Sequence, residues 1–487
     1  MNRRAFMRLS GLSTLAIGVA GSSAAASTSD AEQTTTGSSI EPPADLTITI
    51  APVTVELAPN LVFSTIGYNG SSPGPIVRMR EGIPQIVDVL NHTDVPEQLH
   101  WHGLCLPSEL DGAEEEGTPT VPPHGTRRYH FTPTPAGTRW YHTHTMAMAD
   151  LHRGSYTGQF GFLVVEGNND AGAYDQEVFL ALRDWEPYFT TQMADMDALA
   201  PRWPQPERPD VADIRANGLE VSAAFYSIND KALGAGEPIR VRNGQRVLFH
   251  ILNASAIENR SIAMSGHQFR VLALDGNPVP SPQLVNHLVL GPGERVDATV
   301  EMNRPGVWIM GALEDNVRKA GLGIVIEYAG QRRPPEWIPP GPSVWDYTLF
   351  GEAAAGTSPS VRPPAETIEM IFEKVPRAHE DKFNGFLING TPYPHDREFV
   401  LREGRRYRLV LRNRTDDAHP MHLHRHLFEL AEIYGKLTSG VIKDTVVVPR
   451  YGRAIVEFVA DQPGLTLFHC HIQQHMDYGF KALLRYA

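Results

Sequence analysis

The chain repeats one short pattern three times, and this self-similarity constrains its fold more than any other feature. Each copy has an arginine, a glycine two residues later, a strand-like apolar segment, and an asparagine nine residues after the glycine. The copies span residues 80–91, 242–253 and 402–413. Such repeats mark one supersecondary unit used several times. Together with 42 glycines and 39 prolines, which suit many turns, they predict an all-β chain of three Greek-key β-sandwich domains.

The three copies also place the domain boundaries. We expect one sandwich at about 44–168, a second at about 172–330 and a third at about 362–487. The segment 331–361 is rich in Pro, Gly, Ala and Ser and is predicted to be a linker. Residues 27–43, with many Ser and Thr, are predicted to be a disordered N-terminal segment.

The N-terminus has the features of an export signal. The pair Arg3-Arg4 precedes Phe6, a short apolar stretch follows, and Ala24-Ala25-Ala26 offers a small-residue cleavage site. This arrangement resembles a twin-arginine signal, so we expect residues 1–26 to be a signal peptide read by the twin-arginine export machinery. The mature protein is then periplasmic or secreted; an ordinary secretory signal remains the alternative. The apolar run is too short for stable membrane insertion.

Charge and cysteine content narrow the partners. The net charge of −13 at pH 7 argues against nucleic acid as a partner. A disulfide between Cys105 and Cys470 is possible, but Cys470 lies between His469 and His471, where a thiolate metal ligand is the better explanation. Cys105 is then expected to be a buried, small apolar residue.

The two outer repeat copies carry histidines at matching places. Each outer copy has two His-x-His pairs: His100, His102, His142 and His144 in the first, and His422, His424, His469 and His471 in the third. The equivalent residues of the middle copy are Ile262, Met264, Gly311 and Leu313. Residues i and i+2 of a strand face the same side of a sheet. Two such faces brought together would supply eight imidazoles, a set that suits three copper ions sharing one pocket.

The third copy has further ligand types that the first copy lacks. His419, Cys470 and His475 stand where the first copy has Glu97, Thr143 and Met148. Two imidazoles and one thiolate make a trigonal blue-copper site. Zinc is a poorer alternative, because structural zinc uses one closed tetrahedral set and not eleven donors over two domains.

These residues resemble the multicopper oxidases, and specifically the three-domain, laccase-like bacterial members built from cupredoxin-like domains. The matching motifs are His100-Trp101-His102-Gly103, His142-Thr143-His144, His419-Pro420-Met421-His422-Leu423-His424, and His469-Cys470-His471-Ile472 with His475. The resemblance implies four copper ions: type 1 on His419, Cys470 and His475; type 2 on His100 and His422; and a type 3 pair on His102, His142, His144, His424, His469 and His471. It also implies one-electron oxidation of a reductant and four-electron reduction of O2 to water.

Four positions beside these motifs refine that expectation. Asp111 matches an acidic residue that helps to move protons toward oxygen in the family, so Asp111 and Cys470 are the expected catalytic residues. A second acid, present in some bacterial members, is replaced by Met476. The side chain of Arg425 is expected to turn to a carboxylate at the domain boundary. The axial position of type 1 copper falls at Phe480, which cannot coordinate, so a three-coordinate site of high reduction potential is expected.

The substrate is the least constrained feature. The 13 methionines are scattered and form no methionine-rich insert, so we expect phenolic or aromatic-amine reductants, which enter beside His475 near the loop 188–215 with its Trp203. Oxidation of copper(I), manganese(II) or iron(II) for metal tolerance remains open, as does a non-enzymatic cell-envelope scaffold. A copper nitrite reductase uses related sandwiches, but it does not need four paired histidine motifs in one chain.

Overall fold

The structure is a computed structural model that describes residues 42–167, 174–190, 218–352, 366–380, 382–395 and 398–487. Residues 44–487 form one compact unit. The expected signal peptide, nearly all of the segment 27–43, the loop 188–215 beyond residue 190 with its Trp203, and residues 353–361 of the expected linker lie outside the described residues. Among the described residues, no helix has the length and apolar character that crossing a membrane requires.

The first third of the chain forms two sheets that share one core. Its strands are β1 (Leu46–Ala58), β2 (Leu61–Tyr68), β3 (Val77–Arg80), β4 (Gln85–Asn91), β5 (Thr126–Phe131), β6 (Gly137–His142) and β7 (Phe160–Glu166). The sheet orders are β2-β1-β4-β5 and β3-β7-β6. Ile48 and Val87 from the first sheet and Leu163 from the second belong to one buried apolar cluster, together with Trp101. Burial of these apolar faces holds the two layers together.

The middle third contributes twelve strands in two sheets. They are β8 (Gln176–Thr190), β9 (Glu220–Ile228), β10 (Ile239–Val241), β11 (Gln245–Asn253), β12 (Arg260–Met264), β13 (Phe269–Leu274), β14 (Asn277–Pro278), β15 (Leu284–Val285), β16 (Leu288–Leu290), β17 (Arg295–Met302), β18 (Val307–Ala312) and β19 (Gly323–Tyr328). The sheet orders are β14-β13-β17-β11-β8-β9, with β15 beside β13, and β10-β19-β18-β12-β16.

The last third adds eleven strands. They are β20 (Glu366–His379), β21 (Phe383–Ile388), β22 (Phe399–Leu401), β23 (Arg406–Asn413), β24 (His419–Leu423), β25 (Phe428–Ile433), β26 (Lys436–Lys443), β27 (Thr445–Val448), β28 (Arg453–Val459), β29 (Leu465–Cys470) and β30 (Lys481–Tyr486). The sheet orders are β21-β20-β23-β28-β25-β26 and β22-β30-β29-β24-β27. The described helices are short: α1 (Ser108–Asp111), α2 (Asp315–Lys319) and α3 (Gln473–Asp477), with 3₁₀ turns at Glu114–Glu116, Gly154–Tyr156 and Tyr347–Phe350.

Each third pairs its strands in the same way, which confirms the predicted all-β, Greek-key architecture. The first strand of each third lies parallel to the strand that carries the repeat, in the pairs β1–β4, β8–β11 and β20–β23. A second parallel pair closes the other sheet, as β3–β7, β10–β19 and β22–β30. Parallel neighbours of this kind need crossover connections, which Greek keys supply. The strands fall inside the three expected segments, whose boundaries stay predictions.

The repeated asparagines explain why histidines follow them at a fixed distance. The carboxamide nitrogen of Asn91 donates to two main-chain oxygens at 2.7 and 3.1 Å, and that of Asn253 to two at 3.0 and 2.9 Å. That of Asn413 faces three, at 2.7, 3.0 and 3.5 Å. All three asparagines are buried at strand ends. A buried amide must be paired, so each asparagine fixes the loop that leads to the next strand. In the outer thirds that loop leads to the histidines.

His250, on β11, lies between two carboxylates of the middle third. Its Nδ1 is 2.7 Å from Asp297 Oδ1, and its Nε2 is 3.1 Å from Glu177 Oε1. Burial would lower the pKa of His250, but Asp297 and Glu177 raise it from 6.5 to about 9. Because the folded-state pKa exceeds the unfolded value, the protonated imidazole stabilises the fold fully below pH 6.5. That contribution is lost as the pH rises through about 9.

We therefore expect His250→Gln to flatten the dependence of stability on pH. Relative to this variant, the unsubstituted chain should lose up to about 3 kcal/mol of unfolding free energy between pH 6.5 and 9. Calorimetric unfolding of both proteins across this range measures the difference. His267→Gln is the control, because burial lowers the pKa of His267 and its titration adds nothing at alkaline pH. Identical pH slopes with and without His250 would contradict the prediction.

Candidate metal centre

Strand pairing inside the outer thirds brings the predicted histidines together. In the last third β24 and β29 are antiparallel, so His422 is the register partner of His469. In the first third His100 and His142 form an antiparallel bridge, with main-chain hydrogen bonds of 2.8 and 3.1 Å. All eight histidines are buried, and rings from the first third contact rings from the last. The structure thus assembles the eight-imidazole cluster that the repeat predicted.

Three of these imidazoles, those of His144, His424 and His469, converge on one point. The Nε2 of His469 lies 2.9 Å from the Nε2 of His424 and 3.4 Å from the Nε2 of His144. The Nδ1 of His424 donates to Asp111, and the Nδ1 of His469 donates to the main-chain oxygen of Cys470. In these neutral tautomers the Nε2 atoms of His424 and His469 carry lone pairs and no proton. Two lone pairs so close together cannot share a hydrogen bond, and they fit a metal ion.

A second trio consists of His102, His142 and His471. Their ring centroids are 5.6, 5.2 and 5.1 Å apart. The Nδ1 of His102 and the Nε2 atoms of His142 and His471 are buried and have no hydrogen-bond partner. Buried polar atoms are normally paired, so three such nitrogens together also fit a metal ion. His102 presents Nδ1 because its Nε2 is 3.1 Å from Asp444 Oδ1.

The two remaining imidazoles, those of His100 and His422, complete the cluster. The Nδ1 of His100 is 2.9 Å from the main-chain oxygen of Asp111, and the Nδ1 of His422 is 2.8 Å from the main-chain oxygen of Asp444. Their Nε2 atoms are buried without a partner. Each nitrogen that faces a main-chain oxygen is a donor, which leaves a lone pair on the opposite nitrogen for a metal.

Burial keeps four of the clustered imidazoles, two from each trio, in the protonation state that binds metals. It lowers the pKa of His424 to about 4 and that of His471 to about 3. It also holds the pKa values of His142 and His469 well below the ordinary value of 6.5. These side chains are therefore neutral at pH 7, and neutral imidazole is the ligand form.

The cysteine site lies where β29 leads into α3. The Sγ of Cys470 is 3.8 Å from His419 Nδ1 and 3.6 Å from His475 Nδ1. The Nε2 of His419 is 2.6 Å from Thr415 Oγ1, whose hydroxyl proton bonds Asn413, so His419 donates there and keeps a lone pair on Nδ1. Burial raises the pKa of the Cys470 thiol, so a metal must displace its proton. Two imidazoles and one sulfur are the donors of trigonal copper sites.

Phe480 packs against this site and offers it no donor atom. Its ring centroid is 4.7 Å from that of His419, with the planes at 88°. Phe372 and Phe386 contact the other sides of the ring. The main-chain nitrogen of Cys470 donates to the main-chain oxygen of Phe480 at 3.0 Å, which fixes the ring beside the sulfur-bearing residue. The three-coordinate site expected from the sequence stays a prediction.

Two buried carboxyl groups, those of Asp111 and Glu116, lie beside His424, and the sequence pointed only to Asp111. Asp111 Oδ2 accepts from His424 Nδ1 at 2.7 Å, and Glu116 Oε2 lies 3.5 Å from the same nitrogen. Burial and the neighbouring Asp111 raise the pKa of Glu116 well above its ordinary range. Burial also opposes ionisation of Asp111, but His100 and His424 hold its pKa well below the ordinary value. One carboxylate and one protonated carboxyl therefore stand side by side.

Glu116 gave no signal in the sequence. It belongs to a run of three glutamates, Glu114–Glu116, and such acidic runs normally lie on solvated turns. The contact between Asp444 and His102 could not be predicted from the sequence either, because Asp444 lies 342 residues further along the chain. Met476, which stands where some family members have an acid, is buried.

Two expectations were wrong. The guanidinium of Arg425 does not turn to a carboxylate; it donates to the main-chain oxygens of Leu106, Gln462, Pro463 and Leu465 and to the Thr466 hydroxyl. Arg425 lies at φ 60°, and its five donors close the ends of two loops whose oxygens would otherwise be buried unpaired. Cys105 is free and half-buried, not fully buried as expected, although the burial it has still raises the pKa of its thiol to about 12.

Comparison with known proteins covers nearly the whole described chain. Three family models, all described as multicopper oxidase, match residues 49–170, 176–328 and 361–486. The chain is 29% identical to the multicopper oxidase MmcO of Mycobacterium tuberculosis over 97% of this chain and 92% of that protein. It is 25% identical to Laccase-7 of Oryza sativa subsp. japonica over 85% of this chain and 86% of that one. The crystal structure of a multi-copper oxidase from Pseudomonas thermotolerans superposes with a TM-score of 0.66 at 26% identity, over 91% of this chain and all of the other.

We expect Phe480→Met to lower the reduction potential of the cysteine site. A thioether in place of the ring would supply a weak axial ligand, which favours copper(II) over copper(I). Each drop of about 59 mV corresponds to a tenfold weaker preference for the reduced ion. Redox titration of the visible absorption measures the shift, with Phe372→Met as a control that adds a thioether at another ring packed against Phe480. A potential in Phe480→Met equal to or above that of the parent chain would refute the three-coordinate interpretation.

Proposed function

The chain belongs to the multicopper oxidase family, and on this premise we propose that it is a laccase-like enzyme acting on phenols or aromatic amines. Membership makes it a copper-using oxidoreductase. The proposal adds the reductant, four bound copper ions and the reduction of O2 to water. One observation carries the choice of reductant: the carboxylate of Glu220 lies beside the Nε2 of His475, the ring nitrogen that does not face Cys470.

The donor sets divide among four ions. We assign type 1 copper to His419, Cys470 and His475, type 2 copper to His100 and His422, and the type 3 pair to the trios His102–His142–His471 and His144–His424–His469. Bound copper would supply one-electron acceptance at the cysteine site and reduction of O2 at the three-ion cluster.

The chain itself links the two sites by the shortest covalent route available to a protein. Cys470 is joined by peptide bonds to His469 and His471, and these two imidazoles belong to different trios. The Nδ1 of His469 also donates to the main-chain oxygen of Cys470 at 2.9 Å, which adds a hydrogen-bonded connection. A reductant beside His475, on α3, would therefore be connected to both trios through Cys470, the last residue of β29.

Glu220 is placed to take the proton of a phenol. Its Oε2 lies 3.7 Å from His475 Nε2, the ring nitrogen that points away from the sulfur. Asn384 donates to the other oxygen, Oε1, and so orients the carboxylate. A phenol that gives up an electron must also release its hydroxyl proton, and a carboxylate at this edge provides general-base assistance.

Lys374 neutralises the acidic groups near the cysteine site, and Glu220 Oε1 is its most distant partner at 4.0 Å, so Glu220 Oε2 stays beside His475. The Nζ of Lys374 lies 2.6 Å from Asp416 Oδ1 and 2.8 Å from Asp417 Oδ2. Burial would lower the pKa of Lys374, but Asp417, Glu220 and Asp416 raise it, so the ammonium group stays charged. A metal-ion reductant would have to compete with this ammonium group for the carboxylates, which favours an uncharged aromatic reductant. The relative named Laccase-7 agrees with this choice.

Asp111 is the proposed proton carrier at the oxygen end. It bonds His424 through Oδ2, and its Oδ1 is buried without a hydrogen-bond partner. A carboxylate oxygen with no partner beside the cluster can accept a proton and pass it inward. Cys470 remains the proposed redox ligand.

A rate comparison with phenols, copper(I), iron(II) and manganese(II) under air tests the reductant. We expect the highest kcat/KM with phenols. Glu220→Gln should lower kcat/KM for phenols by about 100-fold, because the proton acceptor is lost, and should leave oxidation of ferrocyanide, which releases no proton, nearly unchanged. Asp111→Asn is the matched variant at the other end, and it should slow turnover with both reductants alike.

Two outcomes would reject the phenol assignment. One is a kcat/KM for any of the three metal ions above that for every phenol. The other is an equal loss with phenol and ferrocyanide in Glu220→Gln. A copper-loaded protein without visible colour or oxygen uptake would instead reject the oxidase function and favour the scaffold alternative.

Export through the twin-arginine machinery to the periplasm or the medium remains our proposal for localisation. The support is the Arg3-Arg4 pair, the short apolar stretch and the small residues that end at Ala26. Replacing both Arg3 and Arg4 with lysine should retain the full-length protein inside the cell, as cell fractionation would show. Unchanged export of the lysine variant would indicate an ordinary secretory signal.

A further inference from the structure

The middle third has no candidate copper ligand, yet it reaches the copper cluster. We infer that Arg295 and Gly293, both from this third, position the His102–His142–His471 trio, with Asp444 as the connecting residue. The inference rests on the proposed copper cluster and goes beyond it, because it makes a domain without ligands responsible for the shape of one particular metal site. These three residues are positioning residues, since none of them offers an atom to the metal.

Asp444 fixes the imidazole of His102. Its Oδ1 is 3.1 Å from His102 Nε2, and both side chains are fully buried. The carboxylate accepts the Nε2 proton and therefore holds the tautomer whose lone pair is on Nδ1. That Nδ1 is the buried nitrogen without a partner. If the carboxylate turned away, His102 could change tautomer and present an N–H group to the metal.

Arg295 fixes Asp444 in turn. Its Nη1 and Nη2 lie 2.8 and 2.6 Å from the two oxygens of Asp444, a bidentate pair with no solvent exposure. The same guanidinium donates to the main-chain oxygens of Gly293 at 2.9 Å and Asp275 at 3.1 Å. Because the planar guanidinium donates to several fixed acceptors, it can take only one orientation. The Asp444 carboxylate, which pairs with it through both oxygens, is held in the same plane. Removing one partner of a buried pair leaves the other charge unpaired at high cost.

Gly293 touches the same trio from another side. Its φ of +86° is in the left-handed region, and a Cβ built on it would lie 2.7 Å from Cδ2 of the His471 ring. Real Cβ contacts are almost never closer than 3.0 Å, so only glycine lets the backbone lie against this imidazole. The turn just before β17 therefore contacts His471 directly and His102 through Asp444.

The first third leaves room for this contact. A Cβ on Gly103, the residue after His102, would lie 2.8 Å from Asp444 Oδ2 and 2.9 Å from Arg295 Nη2. The glycine that ends the His100–Gly103 motif thus permits the approach of a carboxylate from the last third and a guanidinium from the middle third. All three thirds meet at His102.

The other trio has different supports, which makes the inference specific. His424 donates to Asp111 and His469 donates to the main-chain oxygen of Cys470, and both acceptors belong to the outer thirds. The cysteine site lies beyond the trios at the start of α3. Disturbing Arg295 or Gly293 should therefore affect one type 3 position first and the blue site least.

The experiment compares the copper-loaded forms of the parent chain and the variants Arg295→Gln, Arg295→Lys and Gly293→Ala. Copper per chain, the visible band of the cysteine site, the near-ultraviolet band of a coupled copper pair and the paramagnetic resonance spectrum are measured, along with thermal unfolding. We expect Arg295→Gln and Gly293→Ala to bind copper at the type 3 pair about 10- to 100-fold more weakly, with the visible band retained. Arg295→Lys, which keeps the charge without the fork, should lie between the parent and Arg295→Gln.

Arg260→Gln is the matched control. Arg260 is also a buried guanidinium of the middle third that holds two carboxylates, Asp184 and Glu258, but it bonds no residue next to a candidate ligand. It should lower the unfolding temperature as much as Arg295→Gln and leave every copper signal unchanged. If Arg295→Gln does not fold, Gly293→Ala decides by the same spectra.

Retention of the coupled-pair band at parental copper affinity in both Arg295→Gln and Gly293→Ala would overturn the inference. Equal loss of the visible and coupled-pair bands, as expected from general destabilisation, would overturn it as well. A parent chain that binds no copper would reject the proposed function itself, which distinguishes that failure from the failure of the positioning role.

Discussion

Buried imidazole nitrogens that carry lone pairs repel one another unless a cation lies among them, and the arrangement of this protein depends on that constraint. The Nε2 atoms of His424 and His469 face each other at 2.9 Å while their opposite nitrogens donate elsewhere. Burial keeps such rings neutral, so the repulsion cannot be relieved by a proton. A metal ion relieves it, and the two outer domains that supply the ligands must therefore stay in register with each other.

The orientation of each ring is set by an acceptor behind it. Asp111 stands behind His424, the main-chain oxygen of Asp444 behind His422, and the Asp444 carboxylate behind His102. These acceptors are themselves buried and need partners, which explains the guanidinium of Arg295 beside Asp444. The middle domain has no histidine at the repeat positions, but its Arg295 supports the carboxylate that orients a ligand of the neighbouring domain.

At the cysteine site, where electrons are proposed to enter, charged side chains around the two histidines determine which reductant is favoured. Lys374 pairs closely with Asp416 and Asp417 and more distantly with Glu220 Oε1, whereas the other oxygen of Glu220 lies near the Nε2 of His475. Charge neutralisation around one ligand and a carboxylate at the edge of the other favour a reductant that releases a proton together with its electron. The proposed redox cysteine is joined by peptide bonds to a ligand of each trio, so electron entry and exit meet at Cys470, where β29 ends.

The sequence by itself determined the fold class, the threefold repeat and the positions of all eleven donor residues, because strand periodicity and repeat offsets are local properties. It also identified Asp111 and Phe480 through their distance from the motifs. Only the tertiary structure revealed Glu116, Asp444, Arg295 and Glu220, and it corrected the roles of Arg425 and Cys105. The physical reason is separation along the chain: His102 and Asp444 are 342 residues apart, and His424 and Asp111 are 313 apart. No local pattern encodes such contacts, which arise when three separately patterned domains bury their polar edges against one another.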